Sequence, residues 1–367
     1  MKVLLLAGEQ SGLIYLEAIK NALPDDCEVR GFSDYGFDVA DLGVMGILPV
    51  IRKARYLMRV KRTMEAALRE WYPDVLCTID YPGMNLRLAA YAKKLGIRTI
   101  HVVSPQVWAW KKGRIPRIEA ALDKLLCFFP FEPALYKSGF ATFVGHPLAS
   151  QMREAKAQYG CMREKRLVAI LPGSRISEIE RNLPVMLKAC SLLDNISIEI
   201  PAASEKAKKA IERIVAASKY AHPLKILDAG ARALLLRADV AAVASGTATL
   251  EAALASCPTV LVYRVSWLFA LAARIVIKGV MHIGLANIIW EKSSPSASQD
   301  PAGAPMPELL QEAFTPEALA EKLKLWLDDE GERSEAVRRL EETCALLDAG
   351  EKAIEKIAKE VSGWIPR

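Results

Sequence analysis

Two stretches in the second half of the chain carry residue types suited to holding a phosphate. In the first, Val168-Ala-Ile-Leu171 runs into Pro172-Gly173-Ser174-Arg175. A glycine lets the backbone approach a ligand closely, a serine hydroxyl can donate to a phosphate oxygen, and an arginine fork can clamp two oxygens at once. A helix opening after the turn would aim its N-terminus at the same anion. An ordinary strand–helix turn with a surface arginine has the same residues. The second stretch, Ala242-Val-Ala-Ser245-Gly246-Thr247-Ala-Thr249-Leu-Glu251, repeats the arrangement. Its small residues leave N–H groups free for a diphosphate, and Glu251 stands one turn on, where a carboxylate can accept from ribose hydroxyls. A helix N-cap by Ser245 or Thr247 is the simpler alternative. Two such turns in one half of the chain favour a nucleotide-diphosphate site over two coincidental caps.

The first half offers proton-transfer candidates. Asp80 follows the apolar run Val75–Ile79, where a carboxylate can act as a general base or cap the next helix. On these residues alone the cap is the preferred reading. His101 lies in the apolar run Thr99–Val103 and reads as a core histidine rather than a base. The turn Ala7-Gly8-Glu9-Gln10-Ser11-Gly12 lacks the GxGxxG fingerprint of dinucleotide sites, which weighs against a dehydrogenase.

The elements that must position these residues follow from the apolar pattern. Runs at 3–7, 75–79, 99–103, 124–128, 168–171, 196–200, 240–243 and 259–262 are apolar on both faces, as buried parallel strands are. Helix-like segments between them make right-handed βαβ units. The pattern lapses around 145–163, read as a linker, and restarts at Leu167. The chain is therefore expected to be α/β with two doubly wound domains, 1–160 and 161–345, followed by a C-terminal helical segment, 346–367. Ligands of such domains gather at the carboxyl ends of the strands and in the cleft between domains. Thr315-Pro316-Glu317 reads as an N-cap and N1 proline, and 291–307, rich in Ser, Pro and Ala, as a flexible loop.

Composition narrows the field. The 367 residues are 52% apolar and 25% charged, enough to build cores and unlike a disordered chain. Apolar runs such as 265–273 are cut by Arg264, Arg274 and Lys278 before reaching the ~20 residues of a membrane span. The N-terminal apolar run is shorter than the ~7 residues of a signal-peptide core and reads as a first strand. Seven scattered cysteines without a CxxC motif, and four histidines without HExxH spacing, point to a reducing compartment with no disulfide framework and no metal site. The net charge is +6, and residues 50–71 hold seven basic and two acidic side chains, nearly all of that excess. As a helix, 60–71 places Val60, Met64, Leu68 and Trp71 on an apolar face that a domain would bury behind a solvated basic stripe. The preceding 46–58, with Ile47, Leu48, Val50 and Ile51 beside Arg52, Lys53 and Arg55, is the candidate for a membrane surface. Nucleic acid is disfavoured because aromatic residues do not interleave with the charges.

Taken together, the motifs resemble the lipid-A-disaccharide synthases. The matching pieces run in the family's order along nearly the whole chain: Ala7–Gly12, Val44–Ile47, Ile79–Pro82 with Asn85, His101–Pro105 with Val107–Trp110, Phe129–Glu132, Phe143–Pro147, Leu171–Glu178, Ser245–Glu251 and Pro307–Gln311. The resemblance implies a GT-B architecture, two Rossmann-like domains facing a cleft with the C-terminal helix crossing back to the first. It implies an inverting glycosyltransferase that moves 2,3-diacylglucosamine from a UDP-sugar donor to an acylated sugar-phosphate acceptor, with no metal and no cofactor. It further implies a cytoplasmic protein peripherally associated with the inner membrane; a homodimer stays open. Position by position, Asp80 matches the family's essential aspartate and Arg175 the arginine of its Gly-Ser-Arg turn. Gly173, Ser174, Ser245, Gly246, Thr247, Thr249, Glu251 and Asn287 fall on the donor side, although Ala286 stands where a proline usually precedes the asparagine. Gly8, Glu9, Ser11, Gly12, Asn85, Ser104 and Trp108 are carried over as further substrate-binding positions.

The chain also departs from the family pattern. Leu13 replaces the aspartate after Ser11-Gly12, Gly83 replaces the second acid of the Asp-x-Pro-Asp-Phe-Asn motif, and Met84 replaces its aromatic. These departures keep two alternatives in view: another UDP-sugar transferase or epimerase of GT-B type, and a UDP-sugar- or lipid-binding paralogue with weakened turnover.

Overall fold

The structure, a computed structural model, describes residues 1–42, 54–109, 112–160, 162–218, 220, 222–228, 230–264, 281–294, 297, 303–349 and 352–363, without the side chains of residues 10, 11 and 40. The chain divides into two compact units, one of Met1–Pro147 with Asp348–Arg367, the other of Leu148–Leu347. Residues 148–160 thus group with the second unit, whereas the sequence reading ended the first domain at 160.

The first unit is built on a six-stranded sheet, all its pairings parallel, in the order β2-β1-β3-β4-β5-β6. The strands are β1 (Lys2–Ala7), β2 (Glu28–Arg30), β3 (Val75–Ile79), β4 (Arg98–Val102), β5 (Lys124–Cys127) and β6 (Ala141–Phe143). Its helices are α1 (Gln10–Ala22), the short α2 (Val39–Leu42), α3 (Ala54–Glu70), α4 (Pro82–Lys94) and α5 (Ile115–Ala121). Alternation along β1 sends Leu4 and Leu6 to a core with Met64, Leu68 and Leu88, and Val3, Leu5 and Ala7 to a core on the opposite face. Burial on both faces explains why these strands read as continuous apolar runs. Helix α3 buries Val60, Met64, Ala67 and Leu68 and exposes Arg55, Arg59, Arg62 and Arg69, as its period foretold. Most of the membrane-surface candidate 46–58 lies outside the described residues, as do 265–280.

The second unit repeats the plan with strand order β12-β11-β10-β7-β8-β9, again parallel. Its strands are β7 (Glu164–Leu171), β8 (Ser197–Pro201), β9 (Leu224–Leu227), β10 (Ala238–Ala244), β11 (Thr259–Tyr263) and β12 (Glu308–Leu310). Its helices are α6 (Pro147–Tyr159), α7 (Ile176–Cys190), α8 (Glu205–Ala217), α9 (Ala231–Arg237), α10 (Thr247–Leu254), α11 (Leu285–Ser293), α12 (Pro316–Asp328) and α13 (Glu330–Ala345). The stretch read as a linker is helix α6, because Leu148, Met152 and Ala155 recur at helical spacing and are buried. Thr315 caps α12 as expected, its hydroxyl accepting from Ala318 N–H at 3.1 Å. A last helix, α14 (Ala353–Ser362), returns to the first unit, where Ile357, Ala358 and Val361 join the core of Val3, Leu5, Ile19 and Ile79. Among the described residues no helix is long and apolar enough to cross a membrane.

Candidate active site

The two phosphate-type turns meet because β7 and β10 are adjacent and parallel, with Leu171 opposite Val243 in the register. Their carboxyl ends open into a cavity of ≈ 400 Å³ lined by Gly173, Ser174, Ser245, Gly246, Thr247 and Glu251, with Glu178 and Asp228 at its walls. Gly173 is required here. Its φ is +119°, and a Cβ would stand 2.6 Å from Glu178 Oε2 and 2.7 Å from Glu178 Cβ. Gly246, rather than Ser245 or Thr247, occupies the N-cap of α10, and no side chain caps that helix. Thr249 N–H donates to Gly246 O at 3.2 Å, which leaves the N–H groups of Thr247 and Ala248 to face an anion.

Each carboxylate of the cavity has a basic partner. Glu251 is bonded to Arg232 Nε at 2.8 Å, Asp228 is paired with Lys208, and Glu178 with Arg175 Nη1 at 3.0 Å. Arg175 is thus engaged at the first turn of α7 and its side chain is 60% exposed; it does not line the cavity. Arg232 was not singled out from sequence, since a lone arginine 19 residues before Glu251 carries no motif. Thr249 is buried with its hydroxyl donating to Gly246 O at 2.8 Å, so it shapes the turn rather than facing the cavity. Asn287 is also turned inward. Its Nδ2 donates to Met306 O and to Glu308 Oε1, and its Oδ1 accepts from Met306 N–H at 3.0 Å. It fastens α11 to the segment entering β12, and Glu308 additionally accepts from Gly284 N–H at the start of α11.

In the first unit the equivalent edge collects Gly8 and Glu9 after β1, Asp80 after β3 and Ser104 beyond β4. The parallel pairings β1–β3 and β3–β4 bring these strand ends side by side. The backbone leaves the sheet abruptly. Asp80 and Tyr81 both have φ +49° and Val103 has φ +72°, a region that a β-branched residue enters only under strain. Asp80 N–H donates to Val102 O at 2.9 Å, extending the ladder one residue before the turn. Among the described residues the Asp80 carboxylate accepts from Tyr81 N–H alone, at 2.8 Å, and it does not cap α4, so the preferred helix-cap reading fails. Asn85 Nδ2 donates to Ile79 O and Asp80 O, fixing the turn from beneath. Burial raises the Asp80 carboxyl above the ordinary range, partly opposed by the Tyr81 N–H. Glu9 is raised too, by burial and then by the Asp80 charge. Gly8 is needed because the Tyr81 ring covers it: a Cβ would lie 2.3 Å from Tyr81 Cδ1. Gly12 packs close under Ala7, and the side chain of Ser11 is outside the described residues.

Ser104 and Trp108 are not surface contacts. Both are buried in a polar cluster centred on Glu132: Trp108 Nε1 donates to Glu132 Oε1 at 3.2 Å, and Ser104 Oγ bonds Tyr136 Oη at 2.9 Å. Burial pushes the Glu132 carboxyl up to about 8, leaving it largely protonated at neutral pH. His101 is a neutral core residue, its Nδ1 2.7 Å from Thr78 Oγ1 and its pKa lowered to about 3 by burial.

The likeness to solved structures is one of fold: MurG of Acinetobacter baumannii superposes with a TM-score of 0.61 at 14% identity over 99% of both chains. The UDP complex of MnaA from S. aureus superposes at 0.58 and 12% identity, covering 98% of this chain and 95% of that one. These neighbours identify the pair of parallel-sheet units as the GT-B fold. A lipid-A-disaccharide synthase of Sodalis glossinidius is 36% identical over 356 residues, 90% of each chain. One of Neisseria meningitidis is 37% identical over 314 residues, 82% of this chain and 78% of its own. The family model described as lipid-A-disaccharide synthetase matches residues 3–361. With sequence kinship spanning both units, the chain belongs to the lipid-A-disaccharide synthase family of glycosyltransferases.

Proposed function

We propose that the chain transfers 2,3-diacylglucosamine from its UDP donor to the 6-hydroxyl of 2,3-diacylglucosamine 1-phosphate, with inversion, a step of lipid A biosynthesis. The observation that carries this reading is the ≈ 400 Å³ cavity between the Gly173 and Gly246 turns, in a chain of this family. The donor diphosphate would take the open N-terminus of α10 and the Ser174 turn, and Glu251, held by Arg232, the ribose hydroxyls. Arg175 would exchange its Glu178 partner for a phosphate oxygen as charge builds on the leaving group. Asp80, held by Tyr81 N–H and with a raised pKa, is the base: the acceptor oxygen bonds the anomeric carbon, the bond from that carbon to the UDP oxygen breaks, and the acceptor proton passes to the carboxylate.

A membrane surface is proposed as the working environment, since both sugars carry acyl chains and α3 exposes a basic stripe. The test is chromatographic analysis of products from UDP-2,3-diacylglucosamine with and without acceptor. Disaccharide 1-phosphate with equimolar UDP is expected. Conversion of donor without acceptor would point to an epimerase, and binding with neither product to a paralogue without turnover; either overturns the proposal.

A further inference from the structure

Helices α4 and α5 of the first unit flank a groove of ≈ 780 Å³ that the site described above does not use. Its floor is aliphatic, from Leu86, Ala90, Ile118 and Ala121, and its walls carry Arg87, Lys93, Lys94, Arg114 and Arg117. No carboxylate among the described residues lines it. Lys93 is neutralised by Asp123 at 3.0 Å. The remaining four cations have no ion-pair or hydrogen-bond partner among the described residues, and like charges gathered without counter-ions are relieved by a bound anion. Pro82 and Gly83 form part of the lining, two and three residues past Asp80, and a Cβ at Gly83 would meet nothing within 4 Å.

We infer that this groove seats the acceptor, its phosphate among Arg87, Arg114 and Arg117 and an acyl chain along the Leu86–Ile118 floor. The inference rests on the transfer reading above and specifies where its acceptor binds. An aliphatic floor under uncompensated cations is the complement of a phosphorylated, acylated sugar, and a nucleotide would leave the floor unused.

The test compares wild type with R87Q/R117Q, exposed positions whose change leaves the cores intact, using acceptor with and without its 1-phosphate. In wild type the dephosphorylated acceptor is expected to bind about tenfold more weakly, as a lost charged hydrogen bond implies. In the variant the two acceptors should bind alike, with donor KM and melting temperature unchanged. A phosphate preference that survives in the variant overturns the inference. So does loss of binding to phosphatidylglycerol vesicles with the acceptor preference intact, which would make the groove a lipid-headgroup site. Calorimetric titration of the acceptor separates the two levels. Phosphate-dependent binding without disaccharide formation keeps the groove and refutes the transfer. Disaccharide formation with an unaltered phosphate preference in the variant does the reverse.

Discussion

Asp80 owes its proposed reactivity to where the chain leaves β3. The left-handed backbone at Asp80 and Tyr81 turns the carboxylate back toward its own neighbour's N–H, and partial burial raises its pKa. A base acts in its deprotonated form, so activity should rise with pH through that raised pKa and fall below it. Asp80→Asn should lower kcat about 10²- to 10⁴-fold and erase this acid limb, with UDP affinity unchanged in a binding titration. Glu132 has a different pH signature. Its folded pKa of about 8 lies above the ordinary carboxyl value of 4.5, so the folded state holds the proton longer than the unfolded chain. Its contribution to stability is full below about 4.5 and is lost as pH rises through about 8. Melting temperatures measured across that interval should decline more steeply for wild type than for Glu132→Gln.

At the scale of elements, the donor cavity depends on two strand–helix turns that only neighbouring strands can bring together. Gly173→Ala introduces a Cβ into the Glu178 carboxylate at a φ that alanine adopts only under strain. The cost should be about 1–3 kcal/mol, measured as a lower denaturation midpoint, and weaker UDP binding should accompany it. Arg232→Ala leaves Glu251 without its partner, and should raise donor KM while leaving acceptor KM in place. The turn motifs were legible in sequence because glycine and small hydroxylated residues directly after an apolar run mark a strand–helix turn, and two such turns fall in one half of the chain. Arg232, the groove cations and the inward facing of Thr249, Asn287, Ser104 and Trp108 were not, because each depends on which surface of an element meets its neighbour. Four short strands, β2, β6, β9 and β12, also escaped notice: three or four residues carry too little pattern to separate a strand from a loop.

At the scale of the molecule, the C-terminal helix completes a core begun by the first strand. Ile357 is fully buried against β1 and α1 residues more than 300 positions earlier. Ile357→Ala should therefore destabilise the first unit by about 2–5 kcal/mol, visible as earlier unfolding in a denaturant titration. A truncation before α14 should expose Val3, Leu5 and Ile19 and lower solubility, despite removing no residue of the proposed site.

The order and type of the main elements, the two phosphate-type turns and the place of a carboxylate open to reading as cap or base were determined by the sequence itself. Each rests on local causes: apolar runs buried on both faces, glycine where a turn needs it, and a carboxylate at a strand end. The tertiary structure alone decided which turns share a cavity, which carboxylates have cationic partners, and that four arginines and lysines without a partner among the described residues stand over an aliphatic floor. These are matters of strand order and helix facing, set by contacts between residues far apart in the chain.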